Sequence, residues 1–354
     1  LAPLIVGELV FNTFRSDPYD DIIPAARQWP ELVLHVASHV PSARVAVFVV
    51  CAWVFLFLAA AIAVYEYVRA FATHFLGFSL GRETQLYAWL RALLLGCTCL
   101  GVLCVLYGFY IEPYWLQVTH VRVTSVKLPP GAPPIRFAVI SDLHMDRTAK
   151  LEPSLPGAIA EQKPDLIFFL GDAMNSTWAL GSFKQLMLTL HSIAPVVVVR
   201  GNQDHGPLWD RDVYEGTQVI ELRAAAKRVK IRRVELYIWG QDYDSPTLLP
   251  RDPPPPPGDF TILVQHSPDL MQDAVRANFD LYLAGHTHGG QIALPLYGAL
   301  ITYSRFDKRY ESGLFQEGST TLYVNRGIGF ARWPQPEARF LARPEVTVID
   351  LVGK

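Results

Sequence analysis

Short apolar runs that stop abruptly at a small or polar residue constrain this chain more than any other feature: IRFAVISDLH, PDLIFFLGD, APVVVVRGN, FTILVQHSPD, DLYLAGHTHGG, TLYVNRGIG and EVTVID. Runs of this length, rich in Val, Ile, Leu and Phe, read as strands buried on both faces. Stretches that suit helices lie between them, at 182–191, 212–230 and 269–277. Strands alternating with helices predict a layered α/β domain. The proline run 253–257 cannot continue a helix or a central strand and reads as an exposed loop.

The ends of these runs carry the chemistry. In open α/β sheets ligands collect beyond the carboxyl ends of the strands, where loops converge over a rigid base. Successive predicted strands end in Asp142 and His144, then Asp172, then Asn202, then His266, then His286 and His288. Taken singly, Asp172 reads as a turn or helix cap and His266 as a hydrogen-bonded structural histidine. His286 and His288 are alternate residues, which a straight strand would point to one face. As an ordered set, with Gly171, Gly201 and Gly285 just before the polar groups, these residues point to a shared metal pocket.

All four cysteines, Cys51, Cys97, Cys99 and Cys104, precede this region. No thiolate is therefore available to the pocket, and carboxylate, amide and imidazole donors favour Mn, Fe or Zn. The absence of cysteine from the soluble part fits an oxidising or a reducing compartment equally.

Ahead of the α/β region the composition changes. Hydrophobic residues make up 51% of the chain, and the excess lies before Glu112. Residues 45–65 and 92–111 are uncharged, bounded by Arg44 and Glu66 and by Arg91 and Glu112. Each has the roughly 20 residues that a spanning helix requires, with Tyr65, Tyr67, Tyr107 and Tyr110 near the ends as interfacial aromatics often are. The expected organisation is a membrane anchor over 1–117, with transmembrane helices near 45–65 and 92–111, and a catalytic domain over 118–354. The chain does not begin with Met, so a further N-terminal segment is expected as an option. The distribution of Arg and Lys leans toward an exported catalytic domain by one charge, which leaves the side open.

A net charge of −2 and a pI near 6.6 provide no general attraction for nucleic acid. Nucleic acid is thus disfavoured as a substrate, and nothing in the sequence points to a protein partner.

The ordered blocks Ser141-Asp142-Leu143-His144, Gly171-Asp172, Gly201-Asn202-Gln203-Asp204, His266 and Gly285-His286-Thr287-His288 resemble the calcineurin-like metallophosphoesterase family, from about Val118 to the C-terminus. The resemblance implies a four-layer α/β/β/α sandwich holding two divalent metal ions. Asp142, His144, Asp172 and His288 would bind one ion, and Asp172, Asn202, His266 and His286 the other, with Asp172 bridging. The block GHTHGGQ and Asn325-Arg326-Gly327 look like the membrane-associated bacterial branch, which implies a multi-pass protein of the bacterial inner membrane.

Two cations about 4 Å apart activate water and neutralise the charge of an in-line displacement, leaving the protein to assist the leaving group. Where much of the family has a His for that task this chain has Gln203, which can donate a hydrogen bond but not a proton. A phosphate leaving group, with a second pKa of about 6, departs without a general acid. A pyrophosphate or activated diester is therefore expected over an alkyl monoester, unless nearby His205 supplies the proton. Asp172, Asn202, Gln203 and His205 are the expected catalytic residues; Arg147, Asn175 and Arg326 are candidates for phosphate contacts.

The anchor points to a bilayer-confined, phosphorylated substrate. Similar family members cleave the pyrophosphate of UDP-diacylglucosamine and have Arg in place of the same His. The alternatives are a cell-envelope phosphodiesterase with a non-lipid substrate and a non-catalytic membrane scaffold.

Overall fold

The computed structural model describes residues 42–75, 77, 85–204, 213–245, 247–248, 250, 255–331 and 336–354. The chain divides into two compact units at 81/82. The described part of the first is mainly helix α1 (Ser42–Phe75), which contains the first uncharged run. The second unit opens with α2 (Gln85–Tyr110), which contains nearly all of the second run. Among the described residues, the stretch Gln85–Tyr114 is the one helix long and apolar enough to cross a membrane. It is apolar all round and leaves Leu86, Trp89, Leu93, Leu100, Leu103 and Tyr110 exposed.

Strand β1 (Gln117–Ser125) follows, then β2 (Ile135–Ile140), α3 (Leu155–Gln162), β3 (Leu166–Phe169), α4 (Leu180–Ile193), β4 (Val196–Val198), β5 (Ile220–Glu221), β6 (Ala225–Ile231) and β7 (Val234–Gln241). The remainder is β8 (Phe260–Gln265), α5 (Met271–Arg276), β9 (Leu281–Ala284), the short hairpin β10 (Ala293–Leu294) and β11 (Gly298–Ala299), β12 (Gly313–Glu317), β13 (Thr320–Val324) and β14 (Glu345–Gly353).

Among the described residues these strands form two six-stranded mixed sheets, in the orders β1-β14-β2-β3-β4-β5 and β12-β13-β9-β8-β7-β6. β2 to β5 run parallel in the first. β7, β8, β9 and β13 run parallel in the second.

Alternation along each strand builds the layers. Phe137 and Val139 of β2 join Leu236, Ile238, Ile262 and Leu283 in a core between the sheets. Ala138 and Ile140, on the opposite face, pack with Leu155 and Ile159 of α3 and with Phe183, Met187 and Leu190 of α4. The outer face of the second sheet, including Tyr237, Leu263 and Tyr282, is covered by Met271 and Ala274 of α5. The order is thus helices, sheet, sheet, helix. Strands in such a stack are apolar on both faces, and each fully buried large side chain contributes roughly 1.5–3 kcal/mol.

One expected element is overturned. The sequence suits a helix over 212–230, but β5 and β6 occupy its latter part. β6 pairs antiparallel with β7 across a turn at Arg232, whose φ is +56°. It is an edge strand with Lys227, Arg228 and Lys230 exposed to solvent. Pairing with a buried neighbour overrides the helix propensity of those residues.

Candidate metal centre

β2, β3 and β4 of one sheet and β8 and β9 of the other deliver their terminal loops to one place. His288 Nε2 lies 3.3 Å from Asp142 Oδ1 and 3.1 Å from His144 Nε2. His266 Nε2 lies 3.1 Å from both Asn202 Oδ1 and His286 Nδ1. Asp172 Oδ2 joins the two groups, at 3.4 Å from both His144 Nε2 and His266 Nε2. The ligand-type atoms of Asp142, His144 and His288 fall within 4.8 Å of one another, as do those of Asp172, His266 and His286. All six residues are buried.

The backbone is bent to achieve this. Asp142, His144, Asp172, His286 and His288 have φ of +50°, +44°, +56°, +70° and +52°, the left-handed region that L-residues enter at a cost of order 1–3 kcal/mol each. Buried Asp204 holds the bends around Asp172, accepting from Asp172 N, Ala173 N and Gly201 N at 2.7, 2.9 and 2.9 Å. Glycine is required where loops touch. A Cβ on Gly201 would strike the Asp172 carboxylate and the His266 ring, and one on Gly285 would strike Ser141 and Asp142.

Each carboxylate is half tied down. Asp142 Oδ2 accepts from Ser141 Oγ and from His286 N, while its Oδ1 is buried with no hydrogen-bond partner. Asp172 Oδ1 accepts from Gln203 N at 2.8 Å, leaving Oδ2 facing the histidines. An unpartnered buried carboxylate oxygen is costly unless a cation or proton meets it.

Three histidines are similarly oriented from behind. The His144 Nδ1–H group donates to Asn175 Oδ1 at 2.9 Å. His266 Nδ1–H donates to Leu170 O at 2.8 Å, and His286 Nε2–H to Tyr303 O at 3.3 Å. Such partners fix the tautomer and aim the other ring nitrogen at the cluster.

Electrostatics among the protein groups favour added positive charge. Burial works against ionised Asp142 and Asp172, yet the surrounding histidines hold Asp142 well below the usual range and Asp172 at about 2. Burial lowers His144 to about 4 and also lowers His286 and His288. His266 alone goes the other way: burial is outweighed by the Asp172 and Asp142 carboxylates, which push it up to about 10. Two ionised carboxylates, oriented imidazoles and an amide oxygen form a set that suits divalent cations, with His266 giving up the proton its carboxylate neighbours hold on it when a cation takes that place.

The cluster therefore unites Asp142, His144, Asp172, Asn202, His266, His286 and His288. The other candidates fare differently. Gln203 contributes its backbone N–H and leaves its side chain exposed, and His205 lies outside the described residues. Asn175, expected as a phosphate contact, has its carbonyl oxygen accepting from His144 and its amide donating to Phe330 O at 3.2 Å.

Arg326 pairs its guanidinium with Glu345 at 3.0 Å and donates to Gln117 Oε1 at 3.1 Å. Arg147 sits 5.3 Å from the centroid of the exposed Trp178 ring. The hydrogen bonding of Asp204 and the packing of Tyr243 on the rings of His266 and His286 are not anticipated by the sequence reading. Asp204 stood in the Gly201-Asn202-Gln203-Asp204 block and was the one recoverable signal.

Comparison with known proteins accords with this geometry. A profile of calcineurin-like phosphoesterases matches residues 135–290. The metallophosphoesterase YkuE of Bacillus subtilis is 33% identical over 263 residues, covering 69% of this chain and 88% of that protein.

The chain belongs to the calcineurin-like phosphoesterase family.

This phosphoesterase is also 31% identical over 261 residues to the phosphodiesterase YaeI of Escherichia coli, covering 70% of this chain and 92% of that one. Similarity extends to the UDP-2,3-diacylglucosamine pyrophosphatase LpxG of Chlamydia trachomatis, 23% identical over 312 residues, 70% of this chain and 93% of that one. The chain is a metal-dependent hydrolase of phosphoric esters, and the scaffold reading is set aside.

Proposed function

We propose that this phosphoesterase is a membrane-anchored, two-ion hydrolase of a phosphodiester or pyrophosphate carried on a lipid, of the UDP-diacylglucosamine type. The observation that carries the two-ion reading is Asp172 Oδ2, equidistant at 3.4 Å from a histidine of each group. Asp142, His144, Asp172 and His288 would hold one divalent cation; Asp172, Asn202, His266 and His286 would hold the other. We assign manganese, with iron and zinc admitted by the same donors.

A bound cation pair supplies activation of the attacking water and neutralisation of charge in an in-line displacement. The protein groups do the rest. Asp172 and Asp142 each present one oxygen inward while hydrogen bonds from the main chain hold the other. Asn175, Leu170 and Tyr303 keep the ring nitrogens aimed inward. Gln203 can donate a hydrogen bond to a leaving group but no proton, which selects phosphate over alkoxide.

Support for a lipid-borne substrate comes from the apolar helix and from the aromatic residues that follow it. α2 is exposed and apolar over a length sufficient to span a bilayer, which the proposal places in the inner membrane. Exposed Tyr114 and Trp115 follow, with Arg343 4.1 Å from the Trp115 ring centroid. Such an aromatic and basic margin suits the headgroup level.

The test is turnover by the full-length protein with Mn²⁺ in mixed micelles. Lipid-linked pyrophosphate should exceed both a soluble UDP-sugar and an alkyl phosphomonoester. Equal turnover of an alkyl monoester and a matched pyrophosphate removes the leaving-group argument. Equal turnover of the soluble and lipid pyrophosphates removes the lipid.

A further inference from the structure

His288 differs from the other histidines of the centre in what stands behind it. The far nitrogens of His144, His266 and His286 each meet an oxygen. The far nitrogen of His288, Nδ1, meets the guanidinium of Arg339, with Nη2 at 3.3 Å. A guanidinium has donors only and stays charged.

Arg339 is fully buried and tightly held. Its Nη1 donates to Arg326 O at 2.7 Å and Ala342 O at 3.0 Å, and its Nε and Nη2 both donate to Gly329 O. Its backbone is fixed by the end of the apolar helix, since Arg339 N donates to Gly108 O at 2.9 Å. Buried Glu112 then accepts from Leu341 N and Ala342 N at 2.8 and 2.6 Å. The guanidinium therefore has no room to swing away from His288.

A histidine that offers Nε2 to a cation carries its proton on Nδ1. At His144 and His266 that proton has an acceptor. At His288 it faces another donor, and a fixed positive charge stands one imidazole away from the cation.

Resting on the two-ion reading above, we propose that Arg339 is a positioning residue that makes His288 a poor ligand. The Asp142, His144 and His288 half of the centre is thereby the weaker and more exchangeable, while the Asp172, Asn202, His266 and His286 half retains its ion. The C-terminal turn of α2 sets this inequality by holding Arg339 in place. Cutting the chain at 117/118 to obtain a soluble enzyme would remove Gly108 and Glu112 and release the segment that carries it.

The experiment is calorimetric titration of chelator-stripped, full-length protein in detergent with Mn²⁺, which reads binding rather than turnover. Two unequal steps are expected, the weaker lost in His288→Ala and the tighter lost in His266→Ala. Arg339→Gln, which can present an amide oxygen to Nδ1–H, should strengthen the weaker step roughly ten-fold, the scale on which partners behind ligands act. Arg339→Lys keeps the charge and should leave that step weak.

Equal steps in the wild type, loss of the weak step in His266→Ala instead, or like shifts in Arg339→Gln and Arg339→Lys each overturn the inference while leaving two bound ions. No uptake at all overturns the two-ion reading and this inference with it. If Arg339→Gln fails to fold, Arg339→Met removes the charge instead: a strengthened weaker step supports the inference, and an unchanged one overturns it.

Discussion

Asp204 never faces the ligand cluster, yet replacing it should expose how the centre stores charge. In Asp204→Asn the two acceptor oxygens become one. Of the three N–H groups now held at 2.7 to 2.9 Å, at least one is left facing an amide donor in a buried site. An unpaired buried donor costs about 1–3 kcal/mol, and the surviving bonds lose the extra strength of an ionised acceptor. The expected loss is about 3–5 kcal/mol, or a fall of about 10 °C in Tm for a domain of this size.

An opposing effect operates in the stripped protein. Burial and the neighbouring Asp172 carboxylate push Asp204 from 3.8 up to about 6, which disfavours its ionised form at neutral pH by on the order of 3 kcal/mol. Neutralising the side chain relieves that cost. Divalent cations beside Asp172 relieve it already, so loaded protein gains nothing from the substitution. Asp204→Asn should therefore lower Tm by about 10 °C with saturating Mn²⁺ and far less after chelation, measured by scanning fluorimetry of the full-length protein in detergent. An equal or larger fall in the chelated protein refutes this account of Asp204.

His266 gives a pH prediction. Its folded value of about 10 lies above the ordinary 6.5, so its contribution is full below pH 6.5 and is lost as pH rises through 10. Chelated protein should lose thermal stability across that window and Mn²⁺-loaded protein should not; a flat profile after chelation contradicts the pairing. Asn175→Ala removes the acceptor behind His144 and should weaken one Mn²⁺ step 10- to 100-fold by calorimetry, whereas Asn175→Asp should strengthen it. No change in either variant would return Asn175 to the substrate. Gly201→Ala drives a methyl into Asp172 and His266, so metal analysis should find at least one ion lost from folded protein; full occupancy would show that the loops yield.

The metal-ligand set was legible in the sequence because it rides on local order. A short apolar run ending in Gly-Asp, Gly-Asn or Gly-His states that a buried strand stops and a tight bend follows, and both parts can be read within ten residues. Phe168 and Phe169, Val197 and Val198, and Leu283 mark such strands, and the loops after them hold Asp172, Asn202 and His286. The strands within 212–230 were not legible. β6 exists because β7 lies beside it, and lysines and arginines on an exposed edge carry no sign of that partner.

The order of the blocks, their spacing and their donor atoms were thus determined by the sequence itself. Only the tertiary structure decided which groups stand behind the ligands. Asn175 lies 31 residues from His144, Arg339 lies 51 from His288, and Glu112 meets Leu341 across 229. Hydrogen bonds of that kind obey no local period. They form where chain closure brings a donor and an acceptor together in a space without water, and there one unsatisfied group costs as much as a bond is worth.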